Sequence, residues 1–514
     1  MGRPSKKRAP APKYVSPLQA TIPGFETPFA QKLDPNNRWI LLSNRIPWDM
    51  IAGVYNRQMP GSDEGRPPLS ARLVVGALFI KHLNNWDDRE TVLQIQENMY
   101  LQYFVGYSSF TTEPVFDPSL FVEIRKRLGD EHLNGINEEI VKLYLAAHPV
   151  GGPKEKEQGK GNGNVTAVTG PCRVDGQGPV THHGRMITDA TACPQDIAYP
   201  TDLNLLSGAR EKTEQMVDAL YRGGICDVKP RTYRRNARRD YLLLAKKKNR
   251  SRKAIRQAVG KQLNYLRRNL KSVHMLLDAH EAMHLPFPLK EREQRYLWVI
   301  HTLYDQQRLM HSTFTHSVED RIVSIHQPHV RPIVRGKTNA KVEFGAKVEV
   351  TLANGFAFLD DISWDAFNEG ARLMSYVEKY RERFGYYPKE VLADGIFSNR
   401  ENRSKLKGLG IRLMAKPLGR PSLTAVKEYI RPGERNPIEG KFGQGKKAYG
   451  LGKINARLKD TSQSWIASII LVLNLVKLAG LNLYCLYLPF RHLVRTCYKG
   501  YTGERVQYLP YRIV

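Results

Sequence analysis

The sequence predicts an α/β domain with a mixed sheet, preceded by an all-α region and interrupted by a basic helical insertion. Three observations carry that prediction. Apolar residues recur at helical spacing from about residue 35 to 148 and again from about 201 to 325. Strand-like segments replace them at Met186–Asp189, Lys341–Thr351, Phe356–Asp360, Lys389–Asp394 and Ile411–Lys416. The densest positive charge in the chain falls inside the second helical stretch, between the first strand and the rest.

The elements follow in order. Residues 1–34 form a basic tail, Pro-, Lys- and Arg-rich over its first twenty or so, expected to lack fixed structure. Gly2-Arg3-Pro4 with Lys6, Lys7 and Arg8 suits either a minor-groove arm or a generic basic tail. The helical region 35–148 opens a first clear helix at Ser70, a fair N-cap behind Pro67-Pro68. A second amphipathic segment runs from Thr91 to Val105, and a third from Asp117 to Gly129, with Pro118 near its first turn. Arg125, Lys126 and Arg127 on the third suit a helix laid against DNA or the solvated face of a plain bundle. Residues 149–170, rich in Gly, Lys and Asn, read as a linker.

The following domain, 171–480, begins with the strand that carries Asp189. Its insertion, 201–330, is helical and contains the densest positive charge in the chain. Between Asp227 and Lys271 there are seventeen Lys or Arg and two acidic residues. Interleaved Tyr233, Tyr241 and Leu263 give this stretch something to pack with, so it is not merely a disordered tail, and phosphate contact by Arg234, Arg235, Arg238 and Arg239 is favoured over a solvated charged face. Beyond 330, the alternation in Lys341–Thr351 marks a half-buried strand, Asn354-Gly355 a hairpin turn, and Phe356–Asp360 the returning strand. Residues 365–384 read as a helix with Ala366, Phe367, Leu373, Val377 and Tyr380 near one stripe, and Asn399–Lys407 as another. A last long helical pattern runs from about Pro437 to Leu478, and 481–514 form a C-terminal tail.

Composition narrows the function. Against 50 Asp and Glu stand 79 Lys and Arg, a net charge of +29 that draws polyanions, nucleic acid first among them. Five cysteines, Cys172, Cys193, Cys226, Cys485 and Cys497, form no C-x-x-C pair and imply neither structural zinc nor a disulfide framework. The basic start is followed by no apolar core of a secretory signal. Trp465–Leu478, interrupted by Ser468, Asn474 and Lys477, suits a buried core helix better than a membrane span.

The chemistry is carried by three carboxylates. Asp189 and Asp394 lie in or at the end of strand-like runs, and Glu439 stands near the start of a helix. Hard oxygen ligands in this arrangement suit two divalent ions acting on a phosphodiester. Arg435, Glu439 and Lys446 are spaced by four and seven residues, which places them on one helical face, where the two cations can hold phosphate or merely pair with the Glu. Lys447 adjoins them. The run from Glu439 to Gly452 holds five glycines, explained either by close approach to DNA or by an irregular helix start. Asp196, Asp202, Asp360 and Asp361 read as caps and turns.

Thr188-Asp189-Ala190-Thr191 with Tyr199-Pro200-Thr201-Asp202, then Ala393-Asp394-Gly395, then Arg435-x₃-Glu439-x₆-Lys446 resemble the bacterial insertion-sequence transposases of the DDE type. Pro432 stands where their Y-x₂-R-x₃-E-x₆-K signature has Tyr, with Tyr429 three residues earlier. Leu69–Val74 and Asp117–Gly129 resemble their InsH-type N-terminal domain. The resemblance implies a ribonuclease-H-like catalytic domain, with Asp189, Asp394 and Glu439 holding two Mg²⁺ ions, Mn²⁺ being the alternative. It further implies phosphate contact by Arg435 and Lys446, cleavage at the terminal inverted repeats of a mobile element and joining to target DNA. A homodimer that brings two double-stranded element ends together, helped by the N-terminal helices, and a cytoplasmic, nucleoid-associated location away from membranes are also expected. A ribonuclease-H-like nuclease that cuts without joining, or a non-catalytic DNA-binding derivative, are the other readings. A tyrosine recombinase is disfavoured, because no Arg-His-Arg constellation precedes a nucleophilic Tyr.

Overall fold

A computed structural model of the chain describes residues 33–58, 69–147, 182–221, 226, 228–334, 342–365, 367–416, 418 and 433–480. The expected N-terminal tail up to residue 32, the C-terminal tail, the linker, Lys341, Ala366, Tyr429 and Pro432 lie outside these residues. Two compact units emerge, one drawing on 33–121, 135–147 and 470–480, the other on 122–134 and 182–469.

In the first unit, Asn37 caps α1 (Arg38–Arg45) by accepting from the Trp39 amide. The helices α2 (Trp48–Gln58) and α3 (Ala71–Asn84) follow. Ser70 caps α3 as the sequence predicts, accepting from the Leu73 amide at 3.2 Å. That helix is buried on every side from Ala71 to His82, so its charged members need partners. Arg72 donates to Ser43 Oγ and to the carbonyls of Tyr103 and Phe104, and Lys81 pairs with Asp88 at 2.9 Å. The expected Thr91–Val105 helix is two, α4 (Asp88–Glu97) and α5 (Met99–Phe104). Asn98 divides them by adopting an extended backbone (φ −113°) and accepting from the Tyr100 amide. The third segment ends at Gly129 as expected, and a further helix follows it, the two together forming α6 (Leu120–Ala147). The break falls at Gly129 itself, where φ is 60° and ψ −177°.

The second unit is built on a mixed six-stranded sheet. Its strands are β1 (Arg185–Pro194), β2 (Arg331–Val334), β3 (Val342–Ala353), β4 (Phe356–Ser363), β5 (Glu390–Leu392) and β6 (Arg412–Met414). The order is β2-β3-β1-β5-β6, and β4 also pairs with β3, further along it. β1 runs antiparallel to β3 and parallel to β5, and β5 parallel to β6. The Asn354-Gly355 hairpin is as predicted, both residues having positive φ (50° and 76°), as a type I′ turn requires.

Four helices fill the insertion between β1 and β2: α7 (Asp202–Leu220), α8 (Arg234–Ala245), α9 (Arg252–Ala282) and α10 (Glu291–Thr313). They own an apolar core in which Leu206, Val217 and Leu220 meet Leu266, Val273, Ile300 and Leu303. The remaining helices are α11 (Leu373–Phe384), α12 (Arg400–Gly408), α13 (Asn436–Ala448) and α14 (Lys459–Leu478). α11 starts later than the sequence suggests, after a 3₁₀ turn at Glu369–Ala371, and buries Leu373, Val377 and Tyr380 as expected. The last helical pattern is broken between α13 and α14, where Gly450 takes φ 83°. α14 is long and apolar enough to cross a membrane, but 89% of that stretch is buried in the fold, as in a core helix.

The register of β1 against β3 depends on Gly345, opposite Pro194. A Cβ there would lie 2.1 Å from the Cys193 carbonyl oxygen. Gly345→Ala is expected to cost about 1–3 kcal/mol, read as a lower thermal midpoint, whereas Gly440→Ala, which meets open space, leaves the midpoint unchanged or raised. An undisturbed Gly345→Ala protein would show that the two strands pair differently.

Candidate active site

β1 is flanked on both edges, by β3 and β5, and this positions the two aspartates. The parallel register sets Ile187 beside Leu392. Asp189 and Asp394 each lie two residues further on, so both stand where the parallel pairing ends. The pairing of β5 stops at Leu392, short of the predicted strand end. Asp394 has left the sheet and caps the 3₁₀ turn Gly395–Phe397, accepting from the Gly395 amide at 2.7 Å.

Arg435, at the start of α13, closes the arrangement. Its Nη2 lies 2.9 Å from Asp189 Oδ2 and its Nη1 3.2 Å from Asp394 Oδ1. One guanidinium thus spans both carboxylates. Asp189 is 18% exposed and Asp394 60%. Burial raises the Asp189 pKa above the usual carboxylate range. Arg435 opposes that shift most, the Ala190 amide helps, and the charges of Asp394 and Glu369 add to the rise.

Two hard carboxylates already sharing one cation have the donor chemistry that a divalent ion needs. Glu439 is not part of that pair. It lies one turn beyond Arg435 on α13, exposed, and among the described residues no three acidic, His or Cys side chains form a metal-holding group. Lys446 lies further along α13, half-buried, with Lys447 exposed beside it. The helix is regular, and Gly440 and Gly443 both face open space. Packing among the described residues therefore does not explain those two glycines.

The opposite face of β1 holds groups that the sequence reading missed. Lys347, Glu349 and Thr351 alternate like the wet face of a half-buried strand, but both faces of β3 are covered. Thr188 Oγ1 donates to Glu349 Oε1 at 2.8 Å. Glu349 is fully buried, and its pKa is pushed up to about 9, by burial above all, against the Thr188 hydrogen bond and with repulsion from Glu369, Asp360 and Asp189. It is a neutral acid at pH 7. Asp360 and Asp361 are not turn residues. Asp360 is buried, bound by Thr351 and by Arg383 at 2.5 Å, and Asp361 pairs with Arg372. Asp202 is not a cap either: Thr201 caps α7, and Asp202 binds Gln307 and Arg321. Asp196 pairs with Lys453 at 3.1 Å.

The expected DNA-contacting residues fare unevenly. Arg125 is buried with its guanidinium 5.3 Å from the Trp465 ring centre, which withdraws it from any outer DNA surface. Lys126, paired with Glu123, and Arg127 are exposed. In the insertion, Arg234 is clamped by both oxygens of Asp218, at 2.7 and 2.9 Å. Arg235, Arg238 and Arg239 remain exposed, lining an open groove on α8 with Leu242, Leu243 and Lys246.

Comparison with known proteins places the chain's two ends. Residues 27–127 match the model described as Transposase domain (DUF772), and residues 391–476 the model described as Transposase DDE domain. The second match contains Asp394, Arg435, Glu439 and Lys446. Asp189 lies outside it and is tied to it by the Arg435 ion pair. The "Uncharacterized protein ORF8 in nfe locus" of Rhizobium meliloti is 30% identical over 176 residues, 34% of this chain and 69% of that protein. No solved structure matches.

A raised carboxylate pKa has a definite sign. Stability from the protonated Glu349 is fully present below the unfolded-state value near 4.5 and is lost as pH rises through about 9. Glu349→Gln keeps the shape without the titration. The thermal midpoint of Glu349→Gln relative to the unsubstituted protein should therefore be higher at pH 9 than at pH 5. A difference that stays constant with pH would place the Glu349 pKa in the ordinary range.

Proposed function

The chain belongs to the insertion-sequence DDE transposases, and from that premise we propose that it cuts DNA at the ends of a mobile element and joins the freed 3′ ends to target DNA. Proteins of this family act on DNA and use divalent metal ions. The observation that carries the proposal is Arg435 bridging Asp189 and Asp394, because it joins the first aspartate to the segment matched as a DDE domain.

Asp189 and Asp394 would hold Mg²⁺ or Mn²⁺, and Glu439, one turn from Arg435, would supply the third carboxylate. The bound ions would activate the attacking oxygen and stabilise the leaving 3′-oxygen. The chain's own contribution is positioning and charge. The β1–β5 register holds the aspartates where the parallel pairing ends, and α13 presents Arg435, Lys446 and Lys447 to the phosphates. The mixed sheet, with β3 and β5 flanking β1 and an acid-bearing helix after the last strand, supports the ribonuclease-H-like reading. Terminal-repeat recognition falls to Lys126 and Arg127 and to the exposed arginines of α8, with the protein acting as a homodimer on two duplex ends. The glycines of α13 that face open space fit close approach of the DNA backbone.

Oligonucleotides carrying the inverted repeats that flank the gene provide the test. Cleaved and joined products are expected with Mg²⁺, and Asp189→Asn or Asp394→Asn should abolish both while binding persists. Cleavage without joining would make the protein a nuclease, and bound but uncut DNA a non-catalytic derivative. Replacing Arg235, Arg238 and Arg239 together by Ala should weaken binding on every sequence and reduce the salt slope by roughly 0.9 for each phosphate no longer neutralised. An unchanged slope would remove α8 from the interface.

A further inference from the structure

Arg435 has a geometry that a phosphate contact alone does not require. Its side chain is only 18% exposed, and its two terminal nitrogens go to carboxylates on different elements, Asp189 in β1 and Asp394 beyond β5. Among the described residues, its buried Nε has no hydrogen-bond partner, so the aspartates are what hold the fork. Two carboxylates this close repel each other unless a cation stands between them. A planar guanidinium can serve both at once, whereas an ammonium is a single point charge.

We propose that Arg435 is an internal counter-cation, which holds Asp189 and Asp394 together in the metal-free protein and yields them to the divalent ion when it binds. This rests on the reading of both aspartates as metal ligands. Metal and guanidinium then compete for the same oxygens, and the released guanidinium is free to meet a phosphate. Arg435 is thus a positioning residue before it is a DNA contact. Competition has a signature that a phosphate contact or a purely structural ion pair lacks: removing Arg435 must strengthen metal binding while loosening the metal-free site.

The test uses the full chain without DNA and Mn²⁺ alone, with free ion followed by electron paramagnetic resonance and stability by thermal melting. Arg435→Gln should bind Mn²⁺ at least about fivefold more tightly than the unsubstituted protein. Its melting midpoint should be lower without metal, with the gap narrowing at saturation. Arg435→Lys, which keeps the charge but not the fork, should also bind more tightly, and it carries the comparison if the Gln variant does not fold. Equal or weaker Mn²⁺ binding in these variants, with binding still lost in Asp189→Asn, overturns the counter-cation and leaves the metal site standing. If the unsubstituted protein binds no Mn²⁺ under these conditions, or Asp189→Asn binds as well as it does, the metal reading and this inference fall together.

Discussion

β1 is paired along nine residues to β3 and over a shorter run to β5, and the candidate site follows from that double pairing. A strand bonded on both edges cannot slide, because a one-residue slip would turn Asp189 to the buried face and take Thr188 away from Glu349, leaving that buried acid without its hydrogen bond. The parallel register with β5 then decides where Asp394 emerges. Arg435 gathers what the sheet has placed side by side, and α13 is held to the sheet through that ion pair.

The same pairing lets the chain carry a large insertion. The path leaves the sheet after β1, builds α7 to α10 around their own apolar core, and returns to pair β2 and β3. Closing a long loop costs little more than closing a short one once its contents fold by themselves. The basic residues of α8 and of the first half of α9 can thus be concentrated on one subassembly without disturbing the strand geometry. The charge is also sorted within that subassembly. Arg210 is buried among Glu214, Gln262 and Ser207, Arg234 is clamped by Asp218, and Arg235, Arg238 and Arg239 stay exposed. Buried, clamped and solvent-exposed arginines therefore occur within one subassembly.

The face of the sheet behind Asp189 is polar and buried. Glu349 with Thr188, and Asp360 with Thr351 and Arg383, replace the apolar contacts usual between a sheet and a helix such as α11. Groups of this kind lose stability unless their hydrogen bonds are made. They also hold β1, β3, β4 and α11 in one mutual arrangement, because no shifted packing would satisfy the same donors and acceptors.

Much of this was legible in the sequence, because local chemistry decides it. Ser70 caps α3, Asn354-Gly355 can only turn a hairpin with both φ positive, and the seventeen basic residues from Asp227 to Lys271 mark the insertion as the chain's cationic part. Asp189, Asp394 and Arg435 could each be named from their settings and from a family resemblance. The tertiary structure decided which residues lie inside. Arg125 reads as a surface cation in a basic run, yet it is covered by Trp465, some 340 residues away, which no local pattern reveals. Glu349 and Asp360 read as a wet strand face and a turn, because alternation records polarity and cannot show that α11 covers that face. The Arg435 bridge also needed the fold: it joins residues far apart in the chain, and only the register of β1 with β5 makes one guanidinium wide enough for both.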